Sequence, residues 1–188
     1  DNTVQFDWIA ILKWNLDAQF AGDENVFVAG DHLIYPVEGH PEICCAPDVY
    51  VAFGRPKGSR GSYKVFEEGG IFPQVVIEVW SPNNRLTKME AKREFYEKHG
   101  AEEYYIVYPE PPVVVEAWRR DGAKLVSVPE STGPVTSPRL GIRFDFSNGG
   151  LVVTGPEGNV YQRPDDAILK LKKLAAKLRA LGIDPDAE

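Results

Sequence analysis

The chain has 188 residues, 43% apolar and 26% charged, the profile of one soluble domain with a sizeable core rather than of a disordered polymer. Its net charge of -7 argues against a surface that grips nucleic acid everywhere, because phosphate affinity comes from Lys and Arg, so such binding must be local. No run of about 18 apolar residues exists to span a bilayer, the start lacks the basic-then-apolar pattern of a signal peptide, and adjacent Cys44 and Cys45 give no disulfide framework; no membrane association and a reducing, cytoplasmic setting are expected. Asp1 in place of an initiator methionine implies that residues precede the numbered chain.

Phe6 to Phe20 repeats apolar residues at helical spacing and stops at Ala21-Gly22, which predicts an amphipathic helix over one face of a sheet. Four runs rich in β-branched and aromatic residues follow, Val26 to Tyr35, Cys44 to Phe53, Val75 to Trp80 and Tyr104 to Tyr108, and read as strands. Between the last two, SPNNRLTKMEAKREFYEKHG offers Asn83 or Asn84 as a cap, strong helix formers, and Gly100 as the stop. Strand, helix and strand make a βαβ unit with its two strands parallel.

Beyond Pro112, VVVEAWRRDGAKLVSV reads as a hairpin turning at Asp121-Gly122, with further short strands to about Arg163. Ile168 to Leu181 spaces Leu171, Leu174, Leu178 and Leu181 by threes and fours, an amphipathic helix expected to dock on the domain, with pairing to a second chain as the alternative. The tail DPDAE reads as disordered. The fold class is α/β (α+β): a mixed central sheet flanked by helices, with added C-terminal β-hairpins. Residues 1–165 form one domain, and 166–188 a terminal helix and tail.

Two carboxylates stand out. Pro47-Asp48 opens DVYVAF, where alternation puts Asp48 on the face of Tyr50 and Ala52. Glu78 lies inside VVIEVW, a continuous apolar run of the kind found in strands buried on both faces. A carboxylate there costs several kcal/mol unless a cation, a proton or strong hydrogen bonds compensate, at about the level of an imperfectly paired buried charge. Asp48 and Glu78 on neighbouring strands, with a carbonyl and water, suit an oxygen-preferring ion such as Mg²⁺, for which Mn²⁺ can substitute. The alternative is that Glu78 pairs with a buried Arg or Lys while Asp48 caps the turn after Pro47. On the following helix, Lys92 neighbours Met89, Phe95 and Tyr96 and so faces the sheet, whereas Lys88 is surrounded mostly by polar residues. An ammonium beside that site can orient an attacking water and offset charge on phosphorus.

Arg55, Lys57, Arg60 and Lys64 fall in RPKGSRGSYK among Gly and Ser without an acid, candidates for gripping phosphates or an ordinary solvated loop. It is not a P-loop, and His32, His40 and His99 lack metal-ligand spacing.

These residues resemble the restriction-endonuclease family called Uma-two, within the PD-(D/E)xK nuclease superfamily. The matching stretches are APDVYVAFGRPKGSRGSYKVFEEGG, VVIEVWSPNNR, KREFYEKHGAEEYYIVYPE and SPRLGIRFD. The resemblance implies a restriction-endonuclease-like core, with Asp48 as the Asp of the PD element, Glu78 as the second acid, and Lys92 as the motif lysine moved onto the helix. Trp80 stands where the usual motif has Lys. Two further departures are Lys88 and Tyr108, where the family pattern commonly has Asp. A fourth acid from the first helix has no sure counterpart; Asp17 and Asp31 are the candidates and read as structural. The implied activity is Mg²⁺-dependent hydrolysis of DNA phosphodiesters, DNA ahead of RNA, with a homodimer possible. The alternative is a nuclease fold without catalysis that binds nucleic acid or a protein partner.

Overall fold

The first helix starts three residues before its apolar repeat because Asn2 caps it: in the computed structural model, which describes residues 2–129 and 133–185, the Asn2 side chain accepts the Gln5 N–H at 2.7 Å. This helix, α1 (Thr3–Gln19), buries Ile11, Leu12 and Leu16. Each such side chain removed from water contributes about 1.5–3 kcal/mol before the entropy of ordering is set against it.

The run from Val26 to Tyr35 breaks in two. β1 (Val26–Gly30) joins the main sheet, while β2 (Ile34–Tyr35) pairs in parallel with β4 (Tyr63–Lys64) in a separate ribbon. The break falls at Asp31, whose φ of 46° lies in the left-handed region that ends a strand. The run from Cys44 likewise becomes a strand only at β3 (Val49–Phe53), with Cys45 making an isolated bridge to Ile34.

The main sheet continues with β5 (Val75–Val79), β6 (Glu103–Tyr108), β7 (Val114–Asp121) and β8 (Lys124–Ser127), in the order β1-β3-β5-β6-β7-β8. β5 and β6 run parallel, Glu78 opposite Ile106, and the other neighbours are antiparallel. Helix α2 (Leu86–His99) makes the expected crossover and stops at Gly100, at φ 109°. Its N-cap position is Arg85, not Asn83 or Asn84: the Asn84 side chain is engaged in accepting from the Ser81 N–H and hydroxyl at 2.7 and 3.0 Å.

Strand alternation divides the core into two layers. Val49, Val51, Val75, Ile77 and Val79 pack with α1 and with a small antiparallel sheet of β9 (Val135–Thr136), β10 (Arg143–Asp145) and β11 (Val152–Thr154). Tyr50, Ala52, Val76, Tyr104 and Ile106 pack with α2 and the β2–β4 ribbon. Glu78 belongs by phase to the α2 side, as does Asp48 just before β3. At the opposite end of β6, Glu103 faces the α1 side and ties the main sheet to the β9–β10 connection: Tyr105 and Ser137 hydroxyls donate to its Oε2, and the Arg139 N–H donates to its Oε1 at 2.8 Å.

The last helix, α3 (Pro164–Ala180), does not dock as expected. None of its residues is buried, and Leu171 and Leu174 are 65% and 53% exposed. The sheet face opposite α2 is filled by α1 and β9–β11. Near its start, Arg163 donates to Asp7 at 2.8 Å and Asn15 donates to the Gln162 carbonyl at 2.8 Å. The tail expected to be disordered falls, from residue 186 on, outside the described residues. No helix among the described residues is long and apolar enough to cross a membrane.

Candidate active site

Asp48, Glu78 and Lys92 meet at one cleft of about 640 Å³ between the N-terminal turns of α1 and the middle of α2. β3 and β5 are neighbours in the sheet, which brings Asp48 beside the end of β5; its Oδ2 accepts the Val79 N–H at 2.7 Å. Glu78, 1% exposed, takes Lys92 across both oxygens at 2.8 and 2.7 Å, and its Oε1 also accepts the Tyr96 hydroxyl at 2.6 Å. The third Lys92 donor goes to the Ala46 carbonyl at 3.0 Å, so all three of its N–H groups have acceptors. Met89 and Tyr96, one turn either side of Lys92, are buried, which holds that face of α2 against the sheet.

Thus the structure contains the ion pair weighed as the alternative for Glu78, formed by the very lysine proposed to assist chemistry. The electrostatics show its cost. Burial, with the Asp48 charge close by, pushes the Glu78 carboxyl up to about 7 although Lys92 and Tyr96 oppose the shift. Burial also raises Asp48, against the Val79 N–H and Lys92. Burial alone would lower Lys92, yet the Glu78 carboxylate outweighs it and keeps the amine cationic. The Asp48 and Glu78 pair therefore holds more acid than Lys92, the cation bonded to it, neutralises.

Gln5 and Tyr96 join this centre without having been singled out from sequence. Gln5, 4% exposed, donates through Nε2 to the Val79 carbonyl at 2.9 Å and approaches Asp48 Oδ2 at 3.5 Å; its Oε1 is buried with no partner among the described residues. An unsatisfied buried acceptor costs about 1–3 kcal/mol. Tyr96 links Glu78 to Cys45, whose Sγ lies 3.2 Å from its hydroxyl, and burial raises that thiol. Nothing local marks Gln5 as buried, whereas Tyr96 does fall one turn from Lys92.

No group of three or more His, Cys, Asp or Glu side chains able to hold a metal is assembled among the described residues. A cation at the cleft would draw on the Asp48 and Glu78 carboxylates and a neutral oxygen, Gln5 Oε1, on a side chain that lines the same cleft. That hard-oxygen set, with an acceptor left orphaned inside it, fits Mg²⁺ or Mn²⁺.

The remaining candidates lie elsewhere. Arg55 and Arg60 both grip Glu68, at 2.9 and 2.5 Å, Lys57 donates to the Phe20 and Val26 carbonyls at 2.8 and 3.2 Å, and Lys64 pairs with Glu67 at 2.9 Å. None of the four lines the cleft, whose cations are Lys88 and Lys92. Asp17 pairs with Lys13, while Asp31 lines the cleft. His32 bonds Tyr50, and His40 pairs with Glu42. Trp80 and Tyr108, two of the three departures from the family pattern, stack on each other with ring centroids 5.1 Å apart. An aromatic pair thus occupies the place of two polar groups.

The Uma2 family model, described as "Putative restriction endonuclease", matches residues 3–147. The chain belongs to the Uma2 family. The Uma2 match spans every element from α1 through β10 and leaves α3 outside. A crystal structure described as "a putative nuclease belonging to DUF820" from Anabaena variabilis ATCC 29413 is similar over 74% of each chain, with a TM-score of 0.55 at 14% identity, and shares the fold. No curated protein sequence matches the chain.

Proposed function

We propose that this Uma2 protein is a Mg²⁺-dependent nuclease that hydrolyses DNA phosphodiester bonds in the cytoplasm. The observation carrying this reading is the convergence of Asp48, Glu78 and Lys92 on one open cleft, beside an acceptor with no partner among the described residues. Asp48 and Glu78 hold the ion, and Mn²⁺ can replace it. When bound, the ion polarises the scissile phosphate and makes water a better nucleophile. Lys92 then exchanges one of its two Glu78 bonds for the attacking water, orienting it and offsetting the charge that develops on phosphorus. Lys88, exposed on the rim, meets the incoming phosphate backbone. Arg55, Lys57, Arg60 and Lys64 reach phosphates only if they give up their present partners. DNA stands ahead of RNA on the family description.

The test is incubation of the purified chain with DNA of varied length and structure in Mg²⁺ or Mn²⁺. Cleavage that depends on the ion and disappears in Glu78→Ala is expected; cleavage that survives this change overturns the assignment.

A second reading is favoured by the saturation of Lys92, whose donors are all committed: a nuclease fold that binds nucleic acid or protein without turnover. Retained DNA binding with no cleavage under any ion would favour it. On either reading residues 1–165 carry the site, and 166–188 serve assembly. The exposed leucine seam of α3 suits an antiparallel homodimer, which sets Asp165 and Asp166 of one copy over Lys177 and Arg179 of the other. An unchanged solution mass on replacing Leu174 and Leu178 by Lys would remove that support.

A further inference from the structure

We infer that Gln5 is a third, uncharged oxygen ligand of the cation held by Asp48 and Glu78, and that its neutrality leaves the loaded cleft positively charged toward a phosphate. The inference rests on the metal-dependent reading above. Gln5 is fixed from three sides: its backbone N–H is taken by the Asn2 cap, and its Nε2 by the Val79 carbonyl and, more distantly, Asp48. Both side-chain acceptors draw the amide nitrogen, which settles which way round the amide sits and leaves Oε1 as its unbonded end. Oε1 is buried and unpartnered among the described residues, on a side chain that lines the same cleft as the two carboxylates. Val79 follows Glu78 directly, so the amide bridges the neighbourhoods of both acids.

An amide carbonyl is a ligand of the type divalent cations accept alongside carboxylates. Charge then decides what the site attracts next. Asp48 and Glu78 balance a divalent ion, Asp31 and Lys88 on the same cleft offset each other, and Lys92 leaves one positive charge in excess. A third carboxylate at position 5 would cancel that excess. Gln5 therefore trades metal affinity for attraction of an anionic phosphodiester.

The test uses the full chain at pH 8, titrating Mn²⁺ calorimetrically, then inorganic phosphate into the Mn²⁺-loaded protein. Gln5→Leu is expected to weaken Mn²⁺ binding about tenfold. Gln5→Glu is expected to tighten Mn²⁺ binding about tenfold while weakening phosphate binding several-fold, because the added charge enters the cation's own ligand set. Gln5→Glu is nearly isosteric, so it keeps the titration readable even where Gln5→Leu loosens α1. Mn²⁺ affinity unchanged in Gln5→Glu, or phosphate affinity that rises with it, overturns the inference. Should native protein bind no Mn²⁺, or Asp48→Asn and Glu78→Gln bind it unimpaired, the metal-dependent reading itself fails. Loss of binding in those two with none of the expected changes at Gln5 refutes only the role of Gln5.

Discussion

The parallel strands β5 and β6 carry a buried glutamate at each end of their pairing, and the two are treated in opposite ways. Glu103, 4% exposed at the start of β6, is sealed by two hydroxyls and a backbone N–H from its own strand and the β9–β10 connection. Glu78, near the end of β5, is held by a lysine and a tyrosine from α2 and opens on a cleft shared with Asp48 and Gln5. Burial alone therefore does not mark a functional carboxylate. What distinguishes Glu78 is a charge balanced by a lysine, next to a second acid and an acceptor unsatisfied among the described residues. Glu103 clasps the main sheet to the β9–β10 connection, whereas on the proposed function Glu78 is the one that takes a ligand.

Exchanging the lesions tests this contrast most severely. Glu78→Gln should lower DNA cleavage by more than about a hundredfold, since even outer-shell partners of metal ligands are worth about 10- to 100-fold. Glu103→Ala should leave Mn²⁺ affinity unchanged but destabilise the fold by about 3 kcal/mol in urea denaturation, because it orphans the Tyr105, Ser137 and Arg139 donors. A Glu103 variant that loses Mn²⁺ binding while remaining folded would erase the distinction.

Lys92 gives the next largest effect, and one that depends on pH. Lys92→Met removes the cation that opposes burial at Glu78, so the folded carboxyl rises further above its already elevated value of about 7. A group whose folded pKa exceeds its unfolded one stabilises most below the unfolded value, and that contribution is lost as pH rises through the folded value. Lys92→Met should therefore be close to native stability near pH 5 and fall progressively behind toward pH 8, approaching about 3 kcal/mol, the usual cost of stranding a buried charge. Saturating Mn²⁺ should restore it. A pH-independent deficit would show that Lys92 contributes packing rather than charge.

The contrast was only half legible in the sequence. Glu78 declared itself because it interrupts a run of apolar β-formers, and Lys92 because Met89, Phe95 and Tyr96 share its helical face. Glu103 sits at the edge of its strand beside Glu102, where a carboxylate looks like surface, and its burial depends on Ser137 and Arg139 far along the chain. Gln5 is hidden for the same reason: Asp48 and Val79 lie 43 and 74 residues away, beyond any local pattern. The failed docking of α3 has a related cause. β9, β10 and β11 are two or three residues long, too short for a period to show, yet with α1 they fill the sheet face opposite α2.

Two tyrosines make the smallest and most closely matched comparison, each donating one hydroxyl to one of the two glutamates. Tyr96 reaches Glu78 at 2.6 Å and Tyr105 reaches Glu103 at 2.9 Å, and both rings are fully buried. Tyr→Phe removes the same atom in each place and leaves the packing nearly intact. At Glu103 the lost bond should appear as about 1 kcal/mol of stability, with Mn²⁺ affinity unaltered. At Glu78 the hydroxyl stabilises the ionised carboxylate and restrains its orientation, so Tyr96→Phe should weaken Mn²⁺ binding several-fold and shift its pH midpoint upward. Burial already favours a proton on Glu78, and removing a donor strengthens that preference, so the cation must compete with the proton over a wider range. Calorimetric titrations of both variants between pH 6 and pH 8 read the two outcomes side by side; identical Mn²⁺ curves would place Glu78 in the same structural role as Glu103.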